Sequence, residues 1–192
     1  IVTPPAGGTV RTQTGRANKV GAYYVPGNDF AVSEPGVHTV RLTLTHDGRT
    51  SAGQVVAPYP TGSVIGAANN TFTFYVVPAD APTPTLTPSA TTLGNAGVTL
   101  TVAPPAGTTA TSCHVTAVFG GEILRQSTPA VAGNACAFNY RPADYTSDFP
   151  NLDPDGSDLV NVTMYMSGSS GGQTVHMAKR VSFFGGRLVT AD

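Results

Sequence analysis

Apolar side chains recur at every second position along much of this chain, while the three-to-four spacing of an amphipathic helix is absent almost everywhere. A period of two sends successive side chains to opposite faces of a pleated strand, so each such segment offers one face to a core and one to water. On the N-terminal side the segments are 19–24, 37–45 and 71–77, with a weaker one at 9–13. On the C-terminal side they are 98–103, 112–119, 123–127, 135–140, 159–167 and 173–184. Gly, Pro, Asn and Asp punctuate them. The expected fold class is therefore all-β, as two tandem antiparallel β-sandwich domains.

The stretch VVPADAPTPTLTPSATT, residues 76–92, is dense in proline and threonine and shows no strand period through its centre, so it reads as a stiff linker. It divides the chain into domains 1–80 and 81–192. The second has enough strands to close a sandwich. The first looks one or two strands short, which suggests a strand from before Ile1 or from another chain of an assembly. Because the chain begins with Ile1 rather than methionine, a mature or excised piece of a longer protein is expected.

Within 37–45 the alternation places His38, Val40, Leu42, Leu44 and His46 on one face. The two imidazoles are about 26 Å apart along such a strand, too far to share a metal or a proton. Each is expected to stand at an edge of the core with one polar end in water. The run Glu34-Pro-Gly36-Val-His38-Thr-Val40 resembles the acidic-x-Gly-x-Tyr-x-Cys corner that leads into strand F of immunoglobulin-like domains, with histidine for tyrosine and valine for cysteine. The resemblance implies that an N–H of His38 ties the corner to nearby backbone, as the tyrosine hydroxyl does. Both halves look like the immunoglobulin-like or fibronectin type III-like domains of bacterial and archaeal extracellular proteins.

Only 11% of residues are charged, and ten basic residues face eleven acidic ones for a net charge of −1. No basic run exists to match a phosphate backbone, so nucleic acid is not an expected partner. No apolar stretch nears the roughly 18 residues needed to span a bilayer as a helix, so no membrane insertion is expected of this segment. The composition points to an extracellular, cell-surface or periplasmic setting. Cys113 and Cys136, the only cysteines, both lie on the apolar faces of their segments. A disulfide is expected, closing a ring of roughly 24 residues and stabilising the second domain by about 3 kcal/mol.

Candidate chemical sites are few. The connection 46–70 is far longer than a hairpin needs, and His46, Asp47, Arg49 and Tyr59 within it are candidates for contacting a protein partner. Five aspartates crowd residues 144–158, and Asp153, Asp155 and Asp158 are candidate calcium ligands, although the spacing is not that of an EF-hand. The favoured reading of these aspartates is turn-forming, solvated side chains, so no cofactor is expected, with calcium as the one alternative. Copper is disfavoured: His114 points away from Cys113, and Cys136 is followed by Ala-Phe-Asn-Tyr. Met164, Met166 and Met177 are expected in the core, with Met164 facing Met177 about a turn at Ser170-Gly171, and His176 beside Tyr165 on the other face. No G-x-S-x-G element occurs, and Ser51 with His46 makes an unconvincing pair.

The expected function is a non-catalytic structural or adhesive module that makes protein–protein contacts, with oligomeric assembly as a natural setting. The alternatives are an accessory module on a secreted enzyme, with carbohydrate as ligand and Tyr59 or Tyr145 as platform, and an accessory subunit on the outer face of a membrane complex.

Overall fold

The structure, a computed structural model, describes residues 2–5, 8–10, 32–41, 45–46, 63–64, 71–119, 122–144, 152 and 158–191. The chain separates into two compact units, Ile1–Val76 and Val77–Asp192. Among the described residues the fold is all-β apart from one short 3-10 turn, Pro142–Asp144, and the strands form several antiparallel sheets.

In the first unit, β1 (Val2–Thr3), β2 (Gly36–Arg41), β3 (Thr45–His46), β4 (Ser63–Val64) and β5 (Thr71–Val76) are described. They form a sheet of order β1-β2-β5 and a small ladder of β3 with β4. β1 lies against β2 through Val2↔Val40 and Thr3↔Thr39. That pairing puts the chain's own start on an edge for which the sequence suggests a donor from elsewhere. Residues 42–44 and the segment 19–24 lie outside the described residues, and Thr9 and Val10 are not in a strand.

The corner before β2 behaves as its resemblance implies. Gly36 has a φ of 116°, a conformation that side chains with a Cβ rarely adopt. It turns the chain so that His38 faces inward, where Nε2 donates to the carbonyl oxygen of Glu34 at 2.8 Å. Only a protonated nitrogen can donate to a carbonyl, so the hydrogen sits on Nε2. The ring stacks on Phe74, its cross-strand partner, at 4.9 Å. The expectation of a polar end in water is wrong for this residue: His38 is 0% exposed, and its Nδ1 is buried without a hydrogen bond among the described residues. The stack on Phe74 covers one face of the ring, and the bond to the Glu34 carbonyl holds its Nε2 end out of water.

The second unit contains β6 (Thr85–Pro88), β7 (Val98–Ala103), β8 (Thr108–Phe119), β9 (Glu122–Ser127) and β10 (Val131–Ala132), followed by β11 (Ala135–Tyr140), β12 (Leu159–Ser170), β13 (Gln173–Phe184) and β14 (Arg187–Ala191). One sheet has the order β10-β11-β7-β6 and the other β14-β13-β12-β8-β9. Alternate residues of β7 (Val98, Leu100, Val102), β11 (Cys136, Phe138, Tyr140) and β12 (Val160, Val162, Met164, Met166) join those of β8 and β13 in one core. The disulfide Cys113–Cys136 links β8 in one sheet to β11 in the other, with the Cα atoms 6.4 Å apart.

Two expectations need correction. Residues 76–92 are not all linker: β6 pairs with β7 as the edge of its sheet, and Leu86 packs on the core. An edge strand tolerates proline because one side of its backbone needs no partner, so the prolines masked a strand. The chain then crosses to the other sheet, where Thr92 bridges Arg187 and Leu188 N–H donates to the Thr91 carbonyl at 2.8 Å. The β12–β13 turn is also displaced: Ser170 pairs with Gln173, so the tip is Gly171-Gly172. Both glycines have positive φ, 55° and 79°, as a two-residue hairpin turn of this twist requires. Met166 therefore faces Met177, and Met164 faces Lys179. The shift is by a whole period, so the methionines stay inward.

A second clamp joins the sheets at the β10–β11 turn. Gly133 and Asn134 both have positive φ, and the Asn134 side chain imitates a strand: Oδ1 accepts from Ala110 N–H at 2.6 Å, and Nδ2 donates to the Thr108 carbonyl at 3.0 Å. Asn134→Gly keeps the backbone conformation and removes both bonds. It is expected to cost about 1–3 kcal/mol, read as a lower denaturant midpoint. Asn134→Ala adds the strain of positive φ and should be worse. Equal midpoints for Asn134→Gly and wild type would show that the amide does not hold β8.

Candidate functional site: the outer face of the five-stranded sheet

The strands that send methionine and valine inward must send their other residues outward. On this outer face the register aligns His114 with Tyr165 and Ala178, Ser112 with Ser167 and His176, and Thr116 with Thr163 and Arg180. Further along, Val118 aligns with Asn161 and Ser182. The rows are knitted by side chains: Ser167 Oγ and His176 Nδ1 are 3.0 Å apart, Ser182 Oγ donates to Asn161 Oδ1 at 2.7 Å, and Gln126 Nε2 donates to Thr116 Oγ1 at 3.4 Å. At one end the face becomes apolar, where the exposed pair Leu159 and Phe184 meet across β12 and β13.

Partial burial lowers the pKa of both His114 and His176 below the ordinary value for histidine. Burial also raises that of Tyr165, against the opposing effects of a hydrogen bond with Thr163 and the charge of Arg180. Tyr165 is therefore a neutral phenol at pH 7. For the histidines the unfolded chain binds protons more readily than the folded one. Each thus contributes stability that is complete above about pH 6.5 and is lost as the pH falls through the folded value. The melting temperature of the second unit should be flat from pH 8 to 7 and decline below about pH 6.5. In His114→Gln/His176→Gln that decline should be shallower; superimposable pH profiles would refute the assignment.

The face can hold and orient a ligand better than it can transform one. Ser167 and His176 have the groups of a nucleophile and a base, but acyl transfer also needs N–H donors aimed at the developing oxyanion. Here the surrounding backbone is committed to the β8–β12–β13 ladders. His114 and His176 lie two strands and one residue pair apart, about 12 Å, which is too far for a common metal. Among the described residues no group of three or more His, Cys, Asp or Glu is placed to hold a metal ion.

The residues singled out from sequence are distributed differently. Cys113 and Cys136 are joined in the disulfide. His46 lies in β3 and pairs through its backbone with Ser63, closing the base of the long connection, whereas Asp47, Arg49 and Tyr59 lie outside the described residues. Of the candidate calcium ligands, Asp153 and Asp155 also lie outside them, and Asp158 is half-buried just before β12. Asp144 is bound by Arg141, whose Nε donates to Oδ1 at 2.8 Å. Tyr145 lies outside the described residues. Sequence reasoning weighed His114 and His176 only as metal ligands; the signal for the face was present in their parity, since His114 alternates with Cys113 and His176 with Met177. Among the described residues no helix is long and apolar enough to cross a membrane. No protein-family model matches the chain, and no curated protein matches it in sequence.

Proposed function

We propose that this chain is a non-catalytic structural or adhesive module of an extracytoplasmic or cell-surface assembly, built from two immunoglobulin-like β-sandwich domains. The observation that carries this is the covalent link between the two sheets of the second unit through Cys113 and Cys136. Buried disulfides form and persist in oxidising compartments, and one placed across a core holds both outer faces in a fixed relation. The immunoglobulin-like assignment draws support from that inter-sheet position and from the bond of His38 to the Glu34 carbonyl. Rigid sheets position contact surfaces without ordering cost at the moment of binding.

Protein partners reach the first unit through the connection that the β3–β4 ladder closes. Removing residues 50–60 leaves both strands of that ladder in the chain. In this variant, assembly with the parent complex should be lost while the melting transition of the second unit is kept. Undiminished assembly would remove the connection from the contact surface.

A further inference from the structure

The outer face of the five-stranded sheet has an uneven chemistry. The chain carries eleven acidic residues, yet among the described residues of β8, β12, β13 and β14 no Asp or Glu is registered on this face. Its charged residues are Arg180, opposite Thr163, and Arg187, opposite Phe184. On β13 the outward positions His176, Arg180 and Phe184 follow at four-residue steps, and Arg187 sits beside the last of them. The steps are about 13 Å each, so an imidazole and two guanidinium groups run in a line along the strand direction. Tyr165 lies in the middle of the face, with the hydroxyls of Thr163 and Ser167 next to it on the same strand.

We propose that this face binds an acidic polysaccharide laid along β13, with Arg180 and Arg187 taking its carboxylates and the ring of Tyr165 taking the apolar side of a sugar. This rests on the reading of the chain as a contact module and names the partner of one surface. Charge complementarity sets the sign of the ligand: a face with cations and no carboxylates on β8, β12, β13 and β14 steers anions towards itself and repels cations. The topology favours a saccharide over an acidic peptide. A peptide docks on a sheet chiefly by adding backbone hydrogen bonds at an edge. Tyr165 and Arg180 stand on β12 and β13, which have strands on both sides, so a ligand here meets side chains alone. Sugar hydroxyls, ring carboxylates and ring faces are satisfied by hydroxyl, guanidinium and aromatic side chains of this kind. Individual exposed contacts are weak, so the line of sites matters: a repeating polymer engages them together.

The test uses the full chain immobilised on a sensor, with polygalacturonate as probe and neutral dextran and polyglutamate as comparators. Binding of polygalacturonate is expected at low salt, weakening as salt screens it, with little response to dextran. Arg180→Gln and Arg187→Gln should each reduce affinity about two- to fivefold, while Arg141→Gln should change nothing. Tyr165→Ala should weaken binding further, with the melting temperature reporting whether the sheet is intact. No binding of polygalacturonate, or binding indifferent to both arginine substitutions, would overturn the proposal. So would equal binding of polyglutamate, or arginine-dependent self-association of the chain with no polysaccharide present. Loss of assembly on removing residues 50–60 is independent of these readouts, so failure of the polysaccharide assignment leaves the module reading separately testable.

Discussion

Phe183→Ala should lower the stability of the second unit by about 3–5 kcal/mol. Phe183 is 1% exposed and packs against Tyr140, with ring centroids 5.3 Å apart, so the two rings join the sheets through the core. Truncation removes the transfer energy of the ring and leaves a cavity that two hydrogen-bonded sheets cannot easily close. A change of that size should move the melting temperature down by more than about 10 °C in a unit of this length. Phe183→Leu keeps most of the volume and should cost less than half as much. A melting temperature for Phe183→Ala within two or three degrees of wild type, on the same transition, would mean that the ring does not bridge the sheets.

The second large effect is expected from the disulfide. Its cysteines are separated by 23 positions in the sequence and are almost wholly buried. Cys113→Ala/Cys136→Ala restores the unfolded chain's freedom to open that ring, at a cost of about 3 kcal/mol on the chain-entropy model. Alanine is the informative replacement, because serine would bury two hydroxyls among Val115, Met166 and Phe138 and add their desolvation. The denaturant midpoint should fall while the slope rises somewhat, since the unfolded chain without the cross-link is less compact and exposes more surface. Adding a reductant to the double variant should have no effect, whereas in the wild type it should produce a similar loss once the bond is reduced. An unaltered midpoint in the double variant would contradict the role given to the bond.

Alternation made much of the second unit legible. β7, β11 and β13 run over the residues whose pattern marks them, and β8 and β12 extend theirs at one end. The three strands of this unit that escaped notice, β6, β10 and β14, are all at sheet edges. β6 is framed by prolines, and β14 has its period broken where the register shifts opposite Ser182 and Phe183. In the first unit the corner at Glu34-Pro-Gly36 was readable, but the depth of His38 was not. Its burial depends on Phe74, more than thirty residues away, lying directly across the ladder.

The candidate face shows the same division. Parity along each strand sufficed to put His114, Tyr165 and His176 on the side away from the methionines, since the pleat alone reverses successive side chains. Parity says nothing about which residue of a neighbouring strand lies opposite. The left-handed pair Gly171-Gly172 sets His176 against Ser167, and the order β14-β13-β12-β8-β9 brings Arg180, Tyr165 and His114 onto one surface. From its sequence alone, then, this protein has the central strands of its second unit, their inward and outward faces, and two cysteines placed to meet inside. Tertiary structure decided the neighbours, because sidedness is a property of each local backbone step whereas register and strand order are set by turns and pairings between distant segments.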